Sequence, residues 1–200
     1  NAGFDRVGSY LLFELTIERN LKIASELLVV GNIDNRELTQ NLLEKKKTQC
    51  TIITESVPRN TAAAIAFAAF SVAPEDILIV TPSDHIIENE VAYANAMQDA
   101  IKLADANNIV TFGIIPTKAE TGYGYIEHQN SDVIAFREKP NLETANQFLK
   151  AGNFLWNSGM FCFKASIFLE ELNKYSPTVH ENANIAWDNN KQGNLDPTLS

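Results

Sequence analysis

Cysteine is scarce in this chain: Cys50 and Cys162 are the only two in 200 residues. Each sits in an apolar run, which suits a buried reduced thiol, and neither spacing nor neighbours suggest a zinc site. A chain this long buries about 70% of its unfolded surface, so it needs no disulfide staples. Histidine is scarce too, at three. His85, His128 and His180 are scattered, with no paired-histidine motif, no Ser-His-Asp order and no Walker-type loop. No apolar run reaches membrane-spanning length and no charged-then-apolar signal segment opens the chain, which points to the cytoplasm. Positive charge is in deficit: 16 Lys and Arg stand against 25 Asp and Glu, a net charge of −9. That excludes an extended nucleic-acid or anionic-membrane surface, though not a small phosphorylated ligand held by a few local donors.

What is present alternates. Leu11–Ala24 carries a helical apolar stripe with Ser9 as its expected N-cap, and Glu26–Val30 reads as a strand. Ile33–Lys47 is an amphipathic helix opening at Asp34 or Asn35, and its Lys45-Lys46-Lys47 end reads as a solvated terminus rather than a phosphate site. Strands are expected at Cys50–Thr54, Asp76–Thr81 and Ile109–Ile115, with helices at Asn60–Ala73 and Val91–Ala106 between them. Such alternation means βαβ units: an α/β chain with a mostly parallel sheet and helices on both faces. Beyond Ile115 short strands at Tyr125–His128 and Val133–Glu138 flank a turn, and Met160–Lys164 is a further strand. Helices are expected at Leu142–Ala151, at Ser166–Tyr175 and from Pro177 on, so antiparallel additions belong to the second half. No linker marks a domain boundary. The expectation is one domain over 1–200, with halves at 11–115 and 116–200.

Four loops after strands carry the polar chemistry. In Asp76–Ile87 (DILIVTPSDHII), Pro82 ends the apolar run and Ser83, Asp84 and His85 follow it, at the carboxyl end of a strand where ligands bind in open α/β sheets. Asp84 is a functional candidate there, or simply the cap of the next helix. Glu55 through Thr61 leads into an alanine-rich helix whose N-terminus offers free N–H groups to an anion. A carboxylate at Glu55 could accept the adjacent N1–H and N2 amino donors of guanine, or pair with Arg59 at the surface. Thr121-Gly122-Tyr123-Gly124-Tyr125 allows close backbone approach to a small ligand, and is also an ordinary turn composition. The fourth group is Arg137-Glu138-Lys139-Pro140 with Trp156-Asn157-Ser158-Gly159-Met160. Lys139 before proline should be extended, with Glu138 and Lys139 on opposite sides of a strand.

Taken in order and spacing, LFELTIERN (12–20), ESVPRNTAAAIAFAA (55–69), TPSDHII (81–87), FREKP (136–140) and NSGMF (157–161) resemble mannose-1-phosphate guanylyltransferases, of the sugar nucleotidyltransferases. The resemblance spans nearly the whole chain. It implies a three-layer, Rossmann-like nucleotide-diphospho-sugar transferase fold and transfer of GMP from GTP to α-D-mannose 1-phosphate, giving GDP-mannose and pyrophosphate with Mg²⁺. By the same resemblance Asp84 binds the magnesium, and Glu55, Arg59, Asn60, Thr61 and Ser83 meet the nucleotide. Gly124 and Asn157 meet the sugar, Glu138 its hydroxyls and Lys139 its phosphate. The sugar phosphate attacks the α-phosphorus in line, so catalysis is positioning and charge neutralisation without a protein nucleophile.

Some of the pattern differs. The family's glycine-rich signature lies upstream of LFELTIERN, where this chain has NAGFDRVGSY; Asn1-Ala2-Gly3 suits a cloning scar in place of a native start. A second metal-binding aspartate is expected beyond Ser200, an isomerase domain is compatible with the family there, and Val57-Pro58 replaces a usual glycine. Activity of these 200 residues alone, and a homo-oligomer, therefore stay open. So do two rival readings: a related enzyme for another nucleotide or hexose 1-phosphate, and a non-catalytic sugar-nucleotide-binding homologue.

Overall fold

The computed structural model describes residues 2–55, 57, 60–191 and 198–199. The chain divides into two compact units, the first Asn1–Ile109 with Cys162–Ser200 and the second Val110–Phe161.

In the first unit α1 (Ala2–Asn20) leads to β1 (Leu28–Asn32), α2 (Arg36–Lys45) and β2 (Thr51–Glu55). α3 (Thr61–Phe70), β3 (Ile77–Val80) and α4 (Glu90–Asp105) follow. β1 and β2 pair in parallel from Leu28↔Thr51 to Asn32↔Glu55. Successive strand residues face opposite ways, so each face of this sheet can bury its own layer. Ile52 joins Ile17, Leu42, Leu43 and Phe13, placing α1 and α2 on one face. Ile53, the next residue, packs with Ala66, Phe67, Leu28 and Val30, placing α3 on the other. Helices on both faces of a parallel pair are what the alternation predicted.

α1 is longer at its start than the stripe suggested, and Ser9 lies inside it rather than capping it. It also ends earlier, at Asn20, where Ile23 and Ala24 both donate to the Asn20 carbonyl in a closing turn. α2 is preceded by a 3₁₀ turn, Ile33–Asn35, whose cap is Asn32: its side chain accepts from the Asp34 N–H at 3.1 Å. Lys46, in the basic run after α2, is not simply solvated. It bridges Glu14 and Glu18 of α1, and these carboxylates raise its pKa.

In the second unit β4 (Val110–Ile114), β5 (Tyr125–Gln129), β6 (Asp132–Arg137) and α5 (Leu142–Ala151) precede β7 (Phe154–Lys164), whose last three residues, from Cys162, belong to the first unit. β5 pairs antiparallel with both β6 and β7, and β4 also pairs with β7. The β5–β6 hairpin turns through Asn130 at φ 54°, a left-handed position that asparagine tolerates. Tyr125, Ala145 and Phe154 form the core, with the Phe148 and Phe154 rings stacked 4.0 Å apart. β4 and β7 meet closely at Gly113, where an added Cβ would lie 2.7 Å from the Leu155 Cβ. β7 begins six residues before the expected Met160, so Trp156 to Gly159 stand in a strand rather than a loop. Pairing with β5, Tyr125↔Trp156 and Ile126↔Leu155, supplies the order that composition did not signal.

The chain closes with α6 (Ala165–Tyr175), α7 (Pro177–Lys191) and β8 (Thr198–Leu199), the last parallel to β2. Among the described residues no helix is long and apolar enough to cross a membrane.

Candidate functional site

In the first unit the candidates stand at two strand ends. β2 finishes at Glu55, whose side chain is buried at 7% exposure. Arg59 lies outside the described residues, so its pairing with Glu55 is not addressed. Asn60 precedes α3 at φ 71°, ψ 169°, a region essentially restricted to glycine, and makes no side-chain cap bond. Thr61 is the first residue of α3 and is exposed.

Asp84 does not cap the following helix, which removes the structural alternative for it. Asn89 does that, accepting from the Ala92 N–H at 2.9 Å. The Asp84 side chain is 73% exposed, its Oδ1 4.0 Å from His85 Nε2.

Beneath this loop lies a buried polar cluster that sequence reasoning missed. Thr16 Oγ1 donates to the Ser83 carbonyl at 3.4 Å, and Arg19 donates to the His85 carbonyl at 3.4 Å and to Thr16 Oγ1 at 3.2 Å. Asn20 Nδ2 donates to Thr81 Oγ1 at 2.8 Å, while its Oδ1 accepts from Tyr93 OH at 2.7 Å. Arg19, only 5% exposed, stacks its guanidinium 5.0 Å from the Tyr93 ring centre. Burial raises the Tyr93 pKa, with the arginine acting against it. The available signal was a Thr, an Arg and an Asn on the inward side of the LFELTIERN stripe, where burial of an arginine demands partners.

In the second unit the structure brings four candidates together. Gly124 O accepts from the Asn157 N–H at 2.8 Å. An added Cβ on Gly124 would meet Glu138 Oε2 tightly at 3.0 Å and Asn157 Cβ in ordinary contact at 3.7 Å, so a larger residue would press on the Glu138 carboxylate. Asn157 Oδ1 accepts from the Gly159 N–H at 3.0 Å, which leaves its Nδ2 as the donor end of the amide. Lys139 Nζ lies 3.3 Å from Glu138 Oε1, both side chains largely exposed. The expectation of an extended Lys139 pointing opposite Glu138 is wrong. β6 stops at Arg137, strand alternation ends there, and Lys139 takes φ 37° before Pro140. Such a conformation is costly for a side-chain-bearing residue and worse before proline.

The Thr121–Gly124 loop is held from behind. Glu120 Oε1 accepts from the Thr121 and Gly122 N–H groups at 3.0 and 3.1 Å, and Lys118 pairs with its other oxygen at 3.0 Å. The Gly122 N–H, then Lys118, hold the Glu120 pKa below its ordinary value. Fully buried Tyr125 both accepts from the Glu120 N–H and donates to its carbonyl, each at 2.9 Å. Among the described residues no cluster of three His, Cys, Asp or Glu is placed to hold a metal.

The set in the first unit offers an open helix N-terminus to an anion, and the set in the second unit groups a glycine, a carboxylate, a lysine and an amide. Residues 4–197 match the family model described as nucleotidyl transferase. The chain belongs to that family. A mannose-1-phosphate guanylyltransferase of Salmonella montevideo is 41% identical over 196 residues, covering 90% of this chain and 41% of the relative. A crystal structure from Helicobacter pylori described as mannose-6-phosphate isomerase is 43% identical with a TM-score of 0.85, over 88% of this chain and 70% of that one. One from Thermus thermophilus, described as mannose-1-phosphate geranyltransferase, is 26% identical with a TM-score of 0.76, over 88% and 54%. The Rossmann-like α/β fold of these nucleotidyl transferases is therefore the fold of this chain. The chain spans about two fifths of the length of the curated relative.

Proposed function

We propose that the longer protein to which this chain belongs is a mannose-1-phosphate guanylyltransferase, moving GMP from GTP to α-D-mannose 1-phosphate. An oxygen of the sugar phosphate attacks the α-phosphorus of GTP in line, the bond to the β-phosphate oxygen breaks, and pyrophosphate leaves. The observation that carries this reading is the grouping of Gly124, Glu138, Lys139 and Asn157. A backbone carbonyl, a carboxylate, an ammonium and an amide side by side match the hydroxyls and phosphate of a hexose phosphate. In this reading Lys139 neutralises the sugar phosphate, Glu138 and Asn157 bind hydroxyls, and the Gly124 backbone approaches the sugar. Glu55, Arg59, Asn60, Thr61 and Ser83 are assigned to the nucleotide. Similarity to relatives with this named activity supports the choice of guanine and mannose.

Magnesium takes few carboxylates beside waters and phosphates, so the exposed Asp84 would be one ligand among several and would hold it poorly alone. Asp84 would hold Mg²⁺, whose charge would offset the negative charge shared among the phosphate oxygens.

The test is pyrophosphate release by the full-length protein with mannose 1-phosphate, comparing GTP with ATP, UTP and dTTP. GTP is expected to exceed the others at least tenfold in kcat/KM. Equal use of the four removes the guanine assignment, and no release with any of them removes the enzyme assignment.

A further inference from the structure

The polar cluster under the loop after β3 has a pattern that packing does not call for. Thr16, Arg19 and Asn20 stand at positions i, i+3 and i+4 of α1, on one face of the helix. They reach three alternate residues of the loop. Asn20 holds Thr81 Oγ1 at 2.8 Å, Thr16 the Ser83 carbonyl at 3.4 Å and Arg19 the His85 carbonyl at 3.4 Å. None of these bonds goes to Asp84. That residue stands between the two held carbonyls with its side chain 73% exposed, so its direction is set from both sides.

Arg19 is the costly member of the cluster. It is 5% exposed, and burying a charge is expensive unless the charge is paired. Among the described residues its Nε has no acceptor and no carboxylate comes within ion-pair distance of it. A methionine would fill the same space beside Tyr93 without that cost. What arginine adds is a rigid, planar fork of donors. One arm goes to the His85 carbonyl and the other to Thr16 Oγ1 at 3.2 Å. A hydroxyl has a single proton, and because Thr16 accepts from Arg19 it keeps that proton for the Ser83 carbonyl. Without the guanidinium, the hydroxyl could turn back to a carbonyl of its own helix, as threonines in helices commonly do. The fork therefore governs both supports of Asp84, one directly and one through Thr16.

We infer that Arg19 is a positioning residue: through the His85 carbonyl, and through Thr16 and the Ser83 carbonyl, it aims the Asp84 carboxylate at the divalent cation that accompanies the nucleotide. The inference rests on the assignment of Asp84 to magnesium under the proposed function, and it adds the residue that orients that ligand. Arg19 thus serves the metal-dependent part of nucleotide binding and touches neither metal nor nucleotide.

Calorimetric binding of GTP to the full-length protein, without mannose 1-phosphate so that nothing turns over, tests this apart from activity. One titration with Mg²⁺ and one with EDTA give two affinities, and their ratio is the gain due to the metal. Asp84→Ala should abolish that gain. Arg19→Lys keeps the charge but not the fork, and Thr16→Val keeps the shape but not the hydroxyl. Each should cut the gain about 10-fold, as loss of a residue supporting a metal ligand commonly does. GTP affinity in EDTA should stay at its wild-type value. A residue that only stabilised the fold would lower the melting temperature or both affinities, and leave their ratio alone. A wild-type ratio in either variant, shown folded by its circular dichroism melt, overturns the inference while the Asp84 assignment stands. Thr16→Val decides alone should Arg19→Lys not fold. No gain with Mg²⁺ in the wild type, or an unchanged ratio in Asp84→Ala, removes the Asp84 assignment and the inference with it.

Discussion

Two candidate residues hold backbones that their side chains disfavour, and one candidate is a glycine with a carboxylate close against it. Asn60 at φ 71°, ψ 169° stores strain of order 1–3 kcal/mol. Asn60→Gly should therefore raise stability by about 1 kcal/mol, a Tm gain of about 2–4 °C for a chain of this size. If the asparagine touches nucleotide, kcat/KM for GTP falls at the same time. Thermal melts beside kinetics separate the two effects; a lower Tm would mean that Asn60 is needed for the fold itself. Gly124→Ala works the other way. Its new methyl would press on the Glu138 carboxylate at 3.0 Å, and because that side chain is 72% exposed it can swing aside. Stability should hold within about 0.5 kcal/mol. KM for the sugar phosphate should rise several-fold, and an unchanged KM would detach Gly124 and Glu138 from the sugar. Asp84→Ala, at an exposed position that caps nothing, should leave Tm unchanged and abolish Mg-dependent turnover.

At the scale of elements, the second half of α1 and the loop after β3 are one polar unit. Asn20→Ala would strip Tyr93 OH and Thr81 Oγ1 of their shared partner, with Tyr93 almost wholly buried. An orphaned buried hydroxyl costs about 1–3 kcal/mol, which urea unfolding will read. The Thr121–Gly124 loop responds to acid instead. Because the folded pKa of Glu120 is lowered, its contribution is complete above the unfolded carboxylate range and disappears as pH falls through the folded value. Wild type and Glu120→Gln should thus melt apart at pH 6 and converge in strong acid. This polar wiring was the part least visible in sequence. The strands were legible because apolar runs such as Ile77–Val80 are short and bounded by Pro and Asp; α5 was legible to the residue because Asn141 and Gly152 mark both its ends. α1 was cut short because Ser9 read as an N-cap, and β7 because Trp-Asn-Ser-Gly has loop composition until β5 pairs with it. Lys139 was misjudged since local pre-proline preference was overridden once β6 ended at Arg137.

Across the whole molecule, the alternation of helices and strands gave the α/β class, yet the return of the chain at Cys162 to its first unit left no mark in composition. Segments joined by packing rather than by sequence neighbours carry no local signal. Among the described residues β1 pairs only with β2, and its other edge has a practical consequence. Exposed apolar strand edges template pairing with other chains. In these 200 residues taken alone, Leu28–Val30 and Ile77–Val80 border an open cavity, and β3 carries no charge or proline within it to discourage pairing. The isolated chain should therefore bind a hydrophobic dye such as ANS and elute as concentration-dependent oligomers, although a net charge of −9 keeps molecules apart at low salt. Raising salt from about 0.01 to about 0.5 M screens that repulsion and should shift the chain toward larger species. Ile79→Lys, which places a charge on β3, should reduce oligomers and dye binding together. A chain of 200 residues that stays monomeric and dye-free at all salt concentrations would mean that the edges of β1 and β3 are already covered within the chain itself.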